Sequence, residues 1–144
     1  AISDQKPKKK QGWIKGDMGK ARRGEYKLLR TLENPAITRF ISRVVDAGSR
    51  LFLVSPRSGK THQIRVALKS IGSPILGDDL YYSDGHLKDV DRGYLHAYAL
   101  RFELDGESFE FVVPPTTGQL FCSESVVAQL SDQWAKPWEL FNNA

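Results

Sequence analysis

ITRFISRVVDAGSRLFLVSPRSGKTHQIRVALKSIG, residues 37–72, changes its hydrophobic period once, and that change decides the fold. Up to Pro56 the period is two. Ile37, Arg39, Ile41, Arg43 and Val45 fall on one side of an extended chain, and Thr38, Phe40, Ser42 and Val44 on the other. DAGS at 46–49 has turn chemistry and RLFLVSP at 50–56 returns, so a β-hairpin is expected. From Thr61 the period lengthens. At about 100° per residue, Ile64, Ala67, Leu68 and Ile71 cluster on one side, and His62, Arg65 and Lys69 lie nearly opposite. A helix over 61–71 follows, closed by Gly72 and Pro74.

The flanks extend the pattern. GEYKLLRTLE (24–33) fits a strand that ends at the Asn34-Pro35 turn. YLHAYALRFEL (94–104) and ESFEFVVPP (107–115) flank Asp105-Gly106, a two-residue hairpin signal. SESVVAQLSDQWAK (123–136) reads as a terminal helix. The expectation is an α+β fold with a mixed, mainly antiparallel β-sheet and packed helices. With 144 residues, one domain is the natural reading. Residues 1–23 are polar, rich in Lys and Gly and without a period. They read as a basic N-terminal arm or linker, with Trp13-Ile14 as an anchor.

Charge is distributed unevenly. Residues 1–30 carry a balance of +7 and the remainder −3, within a net +4. A basic front of this kind suits a phosphate backbone, because binding releases condensed counterions. A solvated, mobile arm has the same composition. One cysteine, Cys122, excludes an internal disulfide and suits a cytosolic protein. It is expected to be buried and inert. No apolar run approaches membrane-spanning length, so no membrane partner is expected. His62, His86 and His96 show no metal-ligand spacing, so no metal site is expected.

The stretch from Ser58 carries the chemistry. Small residues and Lys60 lead into the helix, where free N–H groups and the dipole favour an anion. The exit, GSPILGDDLYY, sets an apolar pair between breakers and ends in two tyrosines. Asp78 and Asp79 suit bonds to local backbone N–H groups better than acid–base work. Tyr81, Tyr82, Tyr94 and Tyr98 suit core or edge packing. His62 also suits donation to a backbone carbonyl at the helix start, and His96 a structural place on a strand.

GKTHQIRVALKSIGSPILGDDLYY resembles the third sequence motif of the RluA-like family of RNA pseudouridine synthases. The matching residues are Gly59, Thr61, His62, Gln63, Ile64 and Arg65, then Gly72, Pro74, Ile75, Gly77, Asp78 and Tyr81. Lys60 stands where Arg is usual, which keeps the charge and loses the bidentate fork. LHAYALRFE (95–103), with His96, resembles the family's Leu-His-Ala strand, and VVPPT (112–116) the stretch where that domain closes. The family's nucleophilic Asp lies in a His-Arg-Leu-Asp motif, and no such string occurs here. The resemblance therefore implies that 24–144 is the C-terminal part of a synthase catalytic domain, with Ala1 starting a piece of a longer protein.

The activity implied is isomerisation of uridine to pseudouridine in tRNA or rRNA, with no cofactor or metal. RNA and the N-terminal remainder of the same protein are the implied partners, and the cytoplasm the implied setting. Arg65 matches the family Arg that supports catalysis by pairing with the catalytic carboxylate, which here lies outside the chain. Arg65 is accordingly expected to lack an acidic partner within the chain, and its replacement by Leu to cost little stability. Lys60, Thr61, His62, Gln63 and Lys69 are expected along the RNA-facing wall. Gly59, Gly72, Pro74, Gly77, Asp78, Tyr81 and His96 are expected to shape the motif. A non-catalytic RNA-binding module on the same fold is the alternative. It requires no upstream Asp motif.

Overall fold

The computed structural model describes residues 1–46, 48–82 and 90–141; His86 and Ala47 of the DAGS turn lie outside them. The chain forms two compact units, Ala1–Tyr94 and Leu95–Ala144. The fold is α+β, and every described strand pairing is antiparallel.

The first unit is built on the expected hairpin. Strands β5 (Ala36–Asp46) and β6 (Ser49–Pro56) pair from Thr38↔Pro56 to Asp46↔Ser49, with one irregularity between Val44 and Asp46. Two further strands flank them, β1 (Ile2–Ser3) and β2 (Gln11–Gly16), in the order β1-β6-β5-β2. β3 (Met18–Lys20) and β4 (Tyr26–Leu28) form a separate two-stranded ribbon. Helix α1 (Gln63–Ser70) packs against β4, β5 and β6. It buries Gln63, Val66, Ala67 and Leu68, while Ile64 is only half-buried.

Residues 1–23 are not an arm. They supply β1, β2 and β3, and Ile2 and Ser3 are both 0% exposed. Long-range bonds hold this segment against the exit of α1. Ser3 Oγ donates to the Pro74 carbonyl at 2.7 Å, Ser73 Oγ to the Gln5 carbonyl at 2.6 Å, and Tyr82 Oη to Asp4 at 2.7 Å. The exit itself depends on two glycines in the left-handed region, Gly72 (φ 85°) and Gly77 (φ 82°). A Cβ on Gly77 would sit 2.3 Å from the Arg92 carbonyl oxygen, so only glycine admits that close approach.

The second unit holds the Asp105-Gly106 hairpin, β7 (Ala99–Leu104) and β8 (Glu107–Val112), and helix α2 (Glu124–Ser131). Both strands are shorter than the sequence suggested, and α2 stops five residues early at Ser131. A short 3-10 helix, Pro137–Phe141, follows. Ser123 caps α2 by accepting from the Val126 N–H. Leu100, Phe102, Phe109 and Phe111 share one hairpin face with the phenyl rings stacked, and Arg101 meets Glu110 on the other. Cys122, expected to be buried, is exposed.

Candidate functional site

The site grows from the two ends of α1. At its start Ser58 and Lys60 converge on one side chain, that of Gln63. Gln63 Oε1 accepts from Ser58 Oγ and from the Lys60 N–H, and Nε2 donates to the Ile37 carbonyl and Thr38 Oγ1. All the bonding capacity of the amide is used, and the residue is 6% exposed. Gln63 is therefore a buried anchor tying α1 to β5, which corrects its expected place on the RNA-facing wall.

His62 precedes the helix with φ 57° and makes no side-chain cap. This left-handed pose is uncommon outside glycine and turns the imidazole sideways onto two tyrosines. Its ring meets Tyr26 edge-on at 5.5 Å and Tyr81 at 5.6 Å. The Tyr81 hydroxyl accepts from the Tyr26 N–H at 2.8 Å and lies 2.8 Å from His62 Nδ1. The Tyr81 hydroxyl thus links the Tyr26 backbone to the His62 ring. The bond expected of His62, to a backbone carbonyl, is not the one found: its partner is the Tyr81 hydroxyl. Tyr81 is 1% exposed, and burial pushes its phenol above the ordinary value, so it stays neutral.

At the exit of α1, Asp78 reaches back to Arg65. Arg65 Nε donates to Oδ2 at 2.9 Å and Nη2 to Oδ1 at 2.8 Å. Oδ1 also accepts the Leu80 and Tyr81 N–H groups, the local bonds expected of this turn. The side chains are 26% and 2% exposed. Exposed Asp79 stands 3.8 Å from Nη2. Arg65 thus has an acidic partner within the chain, contrary to expectation, because the two glycine reversals fold the exit loop over the basic face of the helix. Burial alone would raise the Asp78 carboxyl. The bonds from Arg65, Leu80 and Tyr81 outweigh it and hold the carboxyl below its ordinary value.

Because its folded pKa is depressed, Asp78 stabilises the fold above the ordinary carboxylate range, and that contribution fades as pH falls through the folded value. Asn imitates the protonated acid. Denaturant titrations should therefore show a stability gap between wild type and Asp78→Asn that is full at pH 7 and narrows below about pH 4. A gap of constant size would remove ionic pairing as its cause.

The remaining expected residues divide. The Arg65 guanidinium lies 5.0 Å and Lys69 Nζ 5.7 Å from the Tyr81 ring centroid. Thr61 and Lys69 are exposed, and Lys60 is half-buried. His96 belongs to the second unit, where Nε2 donates to the Val113 carbonyl at 2.7 Å and the ring meets Phe121 edge-on. That is a structural role. No group of three His, Cys, Asp or Glu suited to a metal occurs among the described residues. No helix there is long and apolar enough to cross a membrane. Sequence reading missed Tyr26, because nothing local links it to His62.

No family model matches the chain. Among curated proteins it is 49% identical over 138 residues to an uncharacterized RNA pseudouridine synthase of Haemophilus influenzae, covering 96% of this chain and 61% of that protein. It is 47% identical over 47 residues to the dual-specificity RNA pseudouridine synthase RluA of Vibrio cholerae, covering 33% of this chain and 19% of that one. Among solved structures it resembles human RNA pseudouridylate synthase domain containing 1 with a TM-score of 0.68 and 26% identity, over 80% of this chain and 52% of that one. The chain thus spans 61% of the Haemophilus relative's length and smaller shares of the others. Over the residues matched, the chain is a family-level match, by sequence and by structure, to RluA-like RNA pseudouridine synthases.

Proposed function

We propose that this chain is the arginine-bearing C-terminal part of a cytoplasmic synthase that isomerises uridine to pseudouridine in tRNA or rRNA. The observation that carries the reading is the pose of Arg65. Asp78 grips the guanidinium at Nε and Nη2, and Nη1 has no partner among the described residues. A second carboxylate arriving at Nη1 meets a cation already fixed in orientation, which would keep that acid ionised and aimed. The reading assigns this carboxylate to an Asp in the N-terminal remainder of the same protein. The reaction breaks the N1–C1′ bond and forms C5–C1′; the C5 proton leaves and N1 gains one. The uridine must leave its stack to be reached. Thr61, Lys69, Lys60 and the His62 ring are the groups offered to the RNA.

The test uses tRNA and rRNA carrying tritium at C5 of uridine. The full-length protein should release tritium to water, and this chain alone none above blank. Turnover by this chain alone would place the nucleophile within it. No release by the full-length protein would favour a non-catalytic RNA-binding module.

A further inference from the structure

A second basic and aromatic cluster lies apart from Arg65. Trp13 of β2 stands directly opposite Arg39 of β5, and Arg39 opposite Ser55 of β6. Directly opposed residues share a face. In the adjacent row Ile14, Thr38 and Pro56 share the other face, and Thr38 accepts its bond from Gln63 of α1. The Trp13 row is therefore turned away from α1, and Trp13 itself stands on the edge strand β2. Around the indole centroid stand Lys15 Nζ at 5.1 Å, Arg39 Cζ at 5.3 Å and Arg57 Cζ at 5.7 Å. Lys9 Nζ donates to the Trp13 carbonyl. Trp13 is half-buried, and Lys15 and Arg57 are exposed. Neither Lys15 nor Arg57 has a carboxylate partner among the described residues.

The Lys15 and Arg57 charges lie within about 11 Å of each other, close to the screening length of roughly 8 Å at physiological salt. They repel one another, and a polyanion relieves that repulsion. An indole held at the surface among cations also offers a flat face, which an acidic peptide does not use and an unpaired base does. We propose that this face binds single-stranded RNA, with Trp13 stacking on one unpaired base and Lys15 and Arg57 contacting the flanking phosphates. The exposed Lys15 and Arg57 side chains swing to the phosphates as the base takes the ring. The inference rests on RNA being the substrate and adds a contact on the sheet face opposite the one that carries α1.

The test is fluorescence anisotropy of this chain with a labelled oligouridine 12-mer, an RNA duplex and polyglutamate. Trp13→Ala should weaken oligouridine binding by about tenfold. It should leave duplex binding unchanged, because a paired base is not available to stack. Trp13→Phe should keep most of the affinity, which separates loss of stacking from loss of fold. Changing Lys15 and Arg57 together to Ala should flatten the salt slope by about 1.4, at roughly 0.7 per phosphate on a single strand. Equal weakening on single strand and duplex, unchanged oligouridine binding by Trp13→Ala, or equal affinity for polyglutamate would each overturn the proposal. Tritium release by the wild-type full-length protein keeps the two readings distinct: its absence sinks the synthase reading, whereas release together with oligouridine binding unchanged by Trp13→Ala sinks the platform alone.

Discussion

Replacing Arg65 with Leu is expected to destabilise this chain by about 3 kcal/mol, the lower end of the cost of breaking a buried ion pair from one side. The loss falls on Asp78. Its side chain is 2% exposed and would keep only the Leu80 and Tyr81 N–H bonds. Two of its four bonds would go, together with the guanidinium charge that faces it. The cost stays at the low end because Arg65 itself is 26% exposed, so water enters where the guanidinium was. Urea unfolding at pH 7 measures it. Pairing the change with Asp78→Asn should recover part of the loss, since removing both charges leaves neither one buried alone. A cost under about 1 kcal/mol would mean that water, and not Arg65, solvates Asp78.

This result reverses what the sequence suggests, and the reason is physical. A helical wheel places Arg65 correctly on the polar face and says nothing about what covers that face. The cover comes from thirteen residues downstream, after Gly72 and Gly77 reverse the chain. Local patterns were legible where one period dominates: the 37–56 hairpin, the helix after it, and the Asp105-Gly106 turn all appear. They failed at residues 1–23, where a Lys run and scattered glycines hide any period. The burial of Ile2 and Ser3 there depends on partners near Pro74 and Tyr94. Gln63 shows the same limit in the site. Its motif position was legible, but its four bonds to Ser58, Lys60, Ile37 and Thr38 required the hairpin and helix to be assembled first. The Trp13–Lys15 alternation was present in QGWIKG, and only the pairing of β2 with β5 brings Arg39 and Arg57 to it.

The catalytic role proposed for Arg65 depends on one guanidinium serving two carboxylates at once. Lys retains the charge but is a single point with no fork. It can hold Asp78 or a second acid, and it cannot orient both. Arg65→Lys should therefore keep most of the fold, because a cation still faces Asp78, and lose the alignment of the arriving carboxylate. Misplacing a reacting group by about 1 Å is enough to cost roughly a hundredfold in rate. The direct measurement is single-turnover tritium release from C5-labelled RNA by the full-length protein, wild type beside Arg65→Lys, at saturating RNA. The account predicts a rate at least about a hundredfold lower with RNA affinity nearly unchanged. A rate within a few fold of wild type would contradict it and leave Arg65 as the structural partner of Asp78 alone.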